Sequence, residues 1–206
     1  MDKRIIKGSV SVGPLMTNCY VLGCSVTKDA VIIDPGDDLK KIKKLIDQLN
    51  VVPKAIILTH GHYDHIGCID DFDLPVYIHE DDAEMLFDGA KNLSSLFGDG
   101  ISFAPEIIRL KDGQVVKLGK LSLKILHTPG HTRGGICISV NEILFSGDTL
   151  FCHAIGRTDL PGGSFEHIRD SIINKIMNHC SDSVEVYPGH GPATTIRQER
   201  QGNIFL

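Results

Sequence analysis

Ten histidines occur in the 206-residue chain, and six of them fall in three short stretches. These are Thr59-His60-Gly61-His62-Tyr63-Asp64-His65, His127-Thr128-Pro129-Gly130-His131 and Tyr187-Pro188-Gly189-His190-Gly191. Imidazole together with carboxylate is the ligand set of Zn, Fe and Mn sites. In an extended backbone, side chains two residues apart share a face. His60, His62 and Asp64 are therefore expected to project to one side of the first stretch. His65 then points elsewhere as the chain turns toward a helix. Four ligand-type residues between positions 60 and 65 exceed what one ion takes from so short a segment. Two neighbouring ions are expected to share it. The competing reading is a solvated polar loop with capping residues, which leaves the clustering of the histidines without a purpose. His131 and His190 are weak signals singly, as is Asp148 in Phe145-Ser146-Gly147-Asp148-Thr149, which either caps a turn or bridges two cations. Taken together the four places are a strong signal for metal.

Something must bring these distant stretches to one point. Each histidine stretch follows an apolar run of β type, and loops at strand ends are where a rigid scaffold gathers a site. Strands are expected over Arg4–Val10, Cys19–Gly23, Ala30–Ile33, Ala55–Leu58 and Val76–Ile78. In the second half they are expected over Val115–Leu118, Leu121–His127, Gly135–Val140, Ile143–Ser146 and Val184–Tyr187. Leu39, Ile42, Leu45, Ile46 and Leu49 recur at helical spacing, with Asp37 or Asp38 as the expected cap of that helix. Asp81–Phe87 reads as a helix with an acidic first turn. Another begins at Ser164 and carries Phe165, Ile168, Ile172, Ile173 and Ile176 on one face, and a last one covers Thr194–Gln201. Asn92–Pro105 has no regular pattern and reads as a lid or loop. Two batches of strands, each followed by helices, fit an α+β sandwich of two sheets with helices outside. One domain over residues 1–206 is expected.

Composition narrows the function classes. A hydrophobic content of 42% and a charged content of 23% are those of a globular chain. The formal net charge of −5 provides no general attraction for nucleic acid, whose binding rests on Lys and Arg contacts to phosphate. The opening MDKRIIKGSV is not followed by the apolar core of a secretory signal, and no run approaches the ~20 apolar residues of a membrane helix. Six cysteines (Cys19, Cys24, Cys68, Cys137, Cys152 and Cys180) form no CxxC pair and read as reduced, separate thiols. A cytoplasmic location, with no membrane and no nucleic-acid partner, is expected.

The motifs THGHYDH, TPGHT, SGDTLF and YPGHG resemble, in order along almost the whole chain, those of the metallo-β-lactamase superfamily. Within it the chain is similar to the glyoxalase II-like branch, the hydroxyacylglutathione hydrolases. Ile155-Gly156-Arg157-Thr158-Asp159-Leu160-Pro161-Gly162-Gly163 resembles the short, single-domain bacterial type, which has no C-terminal helical domain after the last metal motif. True class B β-lactamases are a poor match, commonly having Cys where Asp148 stands.

The resemblance implies an αββα sandwich, two mixed sheets with helices on the outer faces and the site at one edge. It also implies that His60, His62 and His131 hold a first metal, that Asp64, His65 and His190 hold a second, and that Asp148 bridges them. Zn is the expected ion, with Fe and Mn as alternatives. Asp64 and Asp148 are then the candidate catalytic carboxylates, in the hydrolysis of a small-molecule glutathione thioester by a metal-bound hydroxide. Arg157 and Tyr63 are candidate substrate contacts, with an ion pair to Asp159 as the competing role of Arg157. GHTRGG departs from the commoner GHTPGS and puts Arg133 at the mouth of the site. Cys68 reads as a structural thiol, and His153 as lying outside the centre. His79, His127, His167 and His179 also read as structural.

The rival activities are a persulfide dioxygenase, using one iron on His60, His131 and Asp148, and a phosphodiesterase or tRNA-processing nuclease. A non-catalytic metal-binding module is the remaining alternative, disfavoured because all seven ligands are present.

Overall fold

A computed structural model describes residues 4–206, so Met1–Lys3 of the basic N-terminus lie outside the described residues. The first half of the chain builds one mixed sheet from β1 (Ile5–Val12), β2 (Thr17–Cys24), β3 (Asp29–Ile33), β4 (Val52–Ile57), β5 (Val76–His79) and β6 (Ile107–Leu110). Strands β1 to β3 are antiparallel, and β3 to β6 run parallel. Parallel neighbours need crossovers. Helix α1 (Leu39–Leu49) supplies the one between β3 and β4, and the short α2 (Tyr63–Ile66) lies in the next.

The second half builds β7 (Val115–Leu118), β8 (Leu121–His127), β9 (Ile136–Val140) and β10 (Ile143–Gly147), then the small ribbon β11 (Leu150–Phe151) and β12 (Ala154–Ile155). Helix α3 (Phe165–Ser171) runs on into a π-helical segment over Ile172–Met177. Strand β13 (Glu185–Pro188) then joins the sheet, followed by β14 (Thr194–Thr195) and helix α4 (Ile196–Gly202). The second mixed sheet has the order β14-β13-β10-β9-β8-β7.

Three apolar clusters define the layers. Between the sheets lie Leu22, Ile33, Ile57, Leu123, Ile125, Ile138 and Phe145 among others. The other face of the first sheet packs Val21, Ile32 and Ile56 against Ile42 and Ile46 of α1. The other face of the second packs Leu144 and Val186 against Ile168, Ile172 and Ile176. The fold is thus the expected αββα sandwich. β3 and the end of β4 are buried along their length, as strands covered on both faces must be.

Some local expectations are corrected. Asp38 occupies the cap position of α1 in the left-handed region (φ 52°), but its side chain makes no capping bond. It accepts instead from Gly13 N–H at 3.1 Å and Lys41 Nζ at 2.7 Å. The Asp81–Phe87 helix is only a 3₁₀ segment over Ala83–Phe87, and the carboxylate of Asp82 before it makes no capping bond. Phe165 is exposed, not part of the packed face of its helix. β6 was not expected at all; Ile107–Leu110 is too short to show a period. The Ser164 cap is as expected, its Oγ accepting from His167 N–H at 3.3 Å. All six cysteines are free, and no helix among the described residues is long and apolar enough to cross a membrane.

Candidate metal centre

The chemistry-bearing loops meet at one edge because of strand direction. β3 and β4 are parallel, and β8, β10 and β13 all point the same way, β8 being antiparallel to β9 and β9 to β10. Asp34 follows β3, His60 follows β4, His131 follows β8, Asp148 follows β10 and His190 follows β13. The isolated bridge Thr17–His190 and the bond from Asn18 N–H to Gly189 O (2.7 Å) tie the two sheets together there.

All seven residues implied as ligands are brought together. His60, His62 and His131 form one group, and Asp64, His65 and His190 form another, with ligand atoms in each group within 4.8 Å of one another. Asp148 stands between them: Oδ1 lies 3.6 Å from His65 Nε2, and Oδ2 lies 3.6 Å from His131 Nε2 and 3.5 Å from His190 Nε2. The backbone route differs from expectation. His62 is extended, but Tyr63 to Ile66 already form α2, so Asp64 reaches the site from a helical turn and not from a continued extended run.

What turns four of the five rings toward the centre is the bond made by the other nitrogen, a recurring feature of metal-binding histidines. His65 Nδ1–H donates to Asp34 Oδ2 at 2.9 Å, His131 Nδ1–H to the carbonyl of Arg157 at 2.8 Å, and His190 Nδ1–H to the carbonyl of Leu15 at 3.0 Å. Thr59 Oγ1 gives its proton to Asp34 Oδ2 (2.7 Å) and so accepts from His60 Nδ1–H (3.2 Å). In the neutral form of these four rings Nε2 is then a bare lone pair aimed inward. His65 Nε2 and His190 Nε2 are 3.4 Å apart, and His62 Nδ1 and His131 Nε2 are 3.0 Å apart. Among the described residues, His60 Nε2 and Asp148 Oδ1 are buried without a hydrogen-bond partner. Converging lone pairs and orphaned buried acceptors are costly unless a cation satisfies them. The donor set therefore fits a pair of metal ions.

The electrostatics agree. Burial disfavours charge on His65, yet the carboxylates of Asp64, Asp34 and Asp148 overcome it and hold His65 up at about 10. Burial likewise works against a charged Asp64, but His65, His190 and Thr17 hold it well below the usual carboxylate range. His60 and His62 lie where burial and the surrounding imidazoles push them down, His62 to about 3. They are neutral and ready to ligate, beside carboxylates that favour positive charge.

Asp34 was missed from the sequence. It is buried in the left-handed region (φ 53°) and accepts from Thr59 N–H at 2.7 Å as well as from the Thr59 hydroxyl and His65. Its signal was available, as a carboxylate at the end of a buried strand adjoining the one that ends in His60. Asp82 was likewise missed. It accepts from Thr132 Oγ1 and Gly134 N–H, both at 2.6 Å, and Gly61 N–H at 3.3 Å, so it clamps the His60 and His131 loops together. No sequence spacing links it to either. Thr17 Oγ1 donates to Asp64 Oδ2 at 2.8 Å.

The remaining candidates divide. Tyr63 is half-buried, lines a groove beside the centre and lies against Phe97, with ring centroids 5.0 Å apart. The exposed Arg157 guanidinium donates twice to Asp159, at 2.8 and 2.7 Å, the competing role foreseen for it. It is the Arg157 carbonyl that touches the site. Arg133 is exposed, and its carbonyl accepts from His127 Nε2–H. His153 groups with Cys152 and Glu199, away from the seven. Cys68 is buried, with its thiol pushed up to about 11 by burial and the charges of Asp71 and Asp37, which makes it no nucleophile.

The sandwich and this edge site define a class. The profile of the metallo-β-lactamase superfamily matches residues 12–193, and the chain belongs to that superfamily. Among its relatives is the hydroxyacylglutathione hydrolase GloC of Haemophilus influenzae, 35% identical over 96% of both chains. Two solved structures are similar throughout. One is described as BLEG-1 B3 metallo-β-lactamase, with a TM-score of 0.90, 40% identity and coverage of 98% of this chain and 99% of that one. The other is TTHA1623 in a di-iron-bound form, with a TM-score of 0.83, 33% identity and coverage of 97% and 100%. The first corrects the expectation that class B β-lactamases match poorly.

Proposed function

We propose that this protein is a metal-dependent thioester hydrolase of glyoxalase II type, for which S-2-hydroxyacylglutathione is the reference substrate. The observation that carries this reading is the place of Asp148 between two complete ligand triads. A pair of divalent ions, when bound, supplies hydroxide near neutral pH and polarises the carbonyl under attack. Zn is the proposed ion, and the di-iron relative makes Fe the alternative to exclude.

The chain's own residues have separate tasks. Asp148 and Asp64 would supply the negative charge that holds the ions. Asp34 and the Arg157 and Leu15 carbonyls hold three of the imidazoles in the tautomer that leaves Nε2 free. Tyr63 contacts the substrate beside Asp64. For Arg157 to grip a substrate carboxylate its fork must first leave Asp159. A thiolate leaves with little need of a proton donor. A small-molecule substrate in the cytoplasm, without nucleic acid or membrane, completes the proposal.

The likeness to a B3 metallo-β-lactamase favours β-lactam hydrolysis as a second reading. The one-iron dioxygenase reading uses His60, His131 and Asp148 and leaves four converging ligands without a task. Metal content per chain, measured together with hydrolysis of S-lactoylglutathione and of a cephalosporin and with oxygen uptake on glutathione persulfide, separates the three. Two ions per chain and thioester cleavage are expected. One iron per chain with oxygen uptake, or cephalosporin turnover alone, overturns the proposal.

A further inference from the structure

The groove beside Asp64 has a chemical character of its own. It encloses about 390 Å³ between the β1–β2 turn, α2 and the loop that follows Ser94. Its walls are apolar, with Val12, Pro14, Leu15, Tyr63, Phe97 and Ile101. Leu15 is 48% and Phe97 72% exposed, and Met16 and Leu96, next to them in the chain, are exposed too. Apolar side chains standing in solvent at the rim of a site mark a surface that something apolar covers.

The charged part of the lining is acidic. Besides Asp64 it contains Asp37 and Asp99, both exposed, and no Lys, Arg or His. The cationic side chain named at the centre, Arg157, is committed to Asp159. The loop wall is anchored and does not hang free. Asn92 is buried and donates to the carbonyls of Met85 and Ile101, accepts from Ser94, and receives Tyr63 N–H on its own carbonyl at 2.9 Å. Phe97 and Asp99 are therefore held against the groove.

We infer that this groove takes an uncharged, apolar arm of the substrate, so that the enzyme prefers acyl thioesters lacking carboxylates near the reacting carbonyl to thioesters of glutathione. The inference rests on the thioesterase reading and narrows it. Glutathione carries two carboxylates. An arm bearing one in this groove meets like charge from Asp37 and Asp99, and its carboxylate buries no apolar surface against Leu15 and Phe97.

The test uses two non-hydrolysable thioethers and the metal-loaded enzyme. S-hexyl-N-acetylcysteamine has neither arm charged. S-(5-carboxypentyl)glutathione has a carboxylate on both, so either orientation places one in the groove. Calorimetry is expected to show the uncharged probe binding about tenfold tighter, the scale of one or two like-charge contacts near a surface. Replacing both acids (Asp37→Lys with Asp99→Lys) is expected to narrow that ratio at least about threefold, and Phe97→Ala to weaken the uncharged probe by about three- to tenfold. All three residues are exposed, so these variants fold. Equal or tighter binding of the charged probe, or a ratio unmoved by the lysines, overturns the inference. Hydrolysis of hexanoyl-N-acetylcysteamine is measured alongside. If the uncharged probe binds as stated but no thioester is cleaved, the thioesterase reading falls and the groove assignment stands. If thioesters are cleaved and charged arms are preferred, the groove assignment falls and the reading stands.

Discussion

Asp34 and Asp148 show how much of this site is carried by single carboxylates. Asp148 Oδ2 lies between His131 of one group and His190 of the other, while Oδ1 faces His65 and has no hydrogen-bond partner. Asp148→Ala should remove hydrolysis, by at least about a hundredfold, and lower the metal content measured by atomic absorption. Full turnover in that variant would refute the bridging role. Asp34 never faces the centre with a free oxygen, yet it fixes His65 and, through Thr59, His60. Losing such a partner costs about ten- to a hundredfold in metal affinity. Asp34→Asn is expected to fall in that range by metal competition with a chromophoric chelator, with the folded circular dichroism spectrum kept.

Elements hold these residues through close approaches that leave no room for a side chain. A Cβ on Gly189 would stand 2.1 Å from Asp148 Oδ1 and 2.9 Å from His65 Cε1. Gly189→Ala, at the end of β13, should therefore displace the carboxylate and depress kcat far more than thermal stability. Equal activity would show that Asp148 has slack. The cap of α3 is a more ordinary device. Ser164→Ala should cost about 1 kcal/mol, a fall in Tm of about 2–4 °C for a chain this size.

The end of β5 supplies a pH effect. His79 is buried against His127, with ring centroids 3.8 Å apart and planes 12° from parallel. Burial, then the His127 charge, holds the His79 pKa below its ordinary value. The unfolded chain therefore takes up the proton first. Stability from this residue is complete above about pH 6.5 and declines as the pH falls below it. His79→Phe should flatten the fall in Tm between about pH 7 and pH 5; an unchanged slope would assign that fall to other groups.

At the scale of the whole molecule, the centre is a staple. His60 to His65 come from the first sheet, and His131, Asp148 and His190 from the second. Cations held by all of them would resist separation of the sheets. A ligand at about a hundred times its Kd adds about 2.7 kcal/mol to the folded state. Chelation should then lower Tm by about 5–10 °C, reversibly on adding Zn. A Tm indifferent to chelator would mean that the sandwich core alone sets stability.

The sequence by itself determined which residues gather at the centre, the layer architecture and most strands. Those signals are local: histidines two residues apart, apolar runs of strand length, a serine before a helical period. Boundaries moved by a residue or two, as at β1 and β13, because hydrogen-bonded pairing and not hydrophobicity ends a strand. Only the tertiary structure decided the supporting residues. Asp82 joins the His60 and His131 loops across 50 positions of chain to Thr132, and the carbonyls of Leu15 and Arg157 carry no side-chain identity at all. Nor could the sequence show that Asn92–Pro105 forms a groove wall, since one buried asparagine ties Ser94 and Ile101 of the loop to Met85 outside it. Ligand identity is a property of residue type. Which way a ligand points, and what covers the ground beside it, is set by partners that only folding brings near.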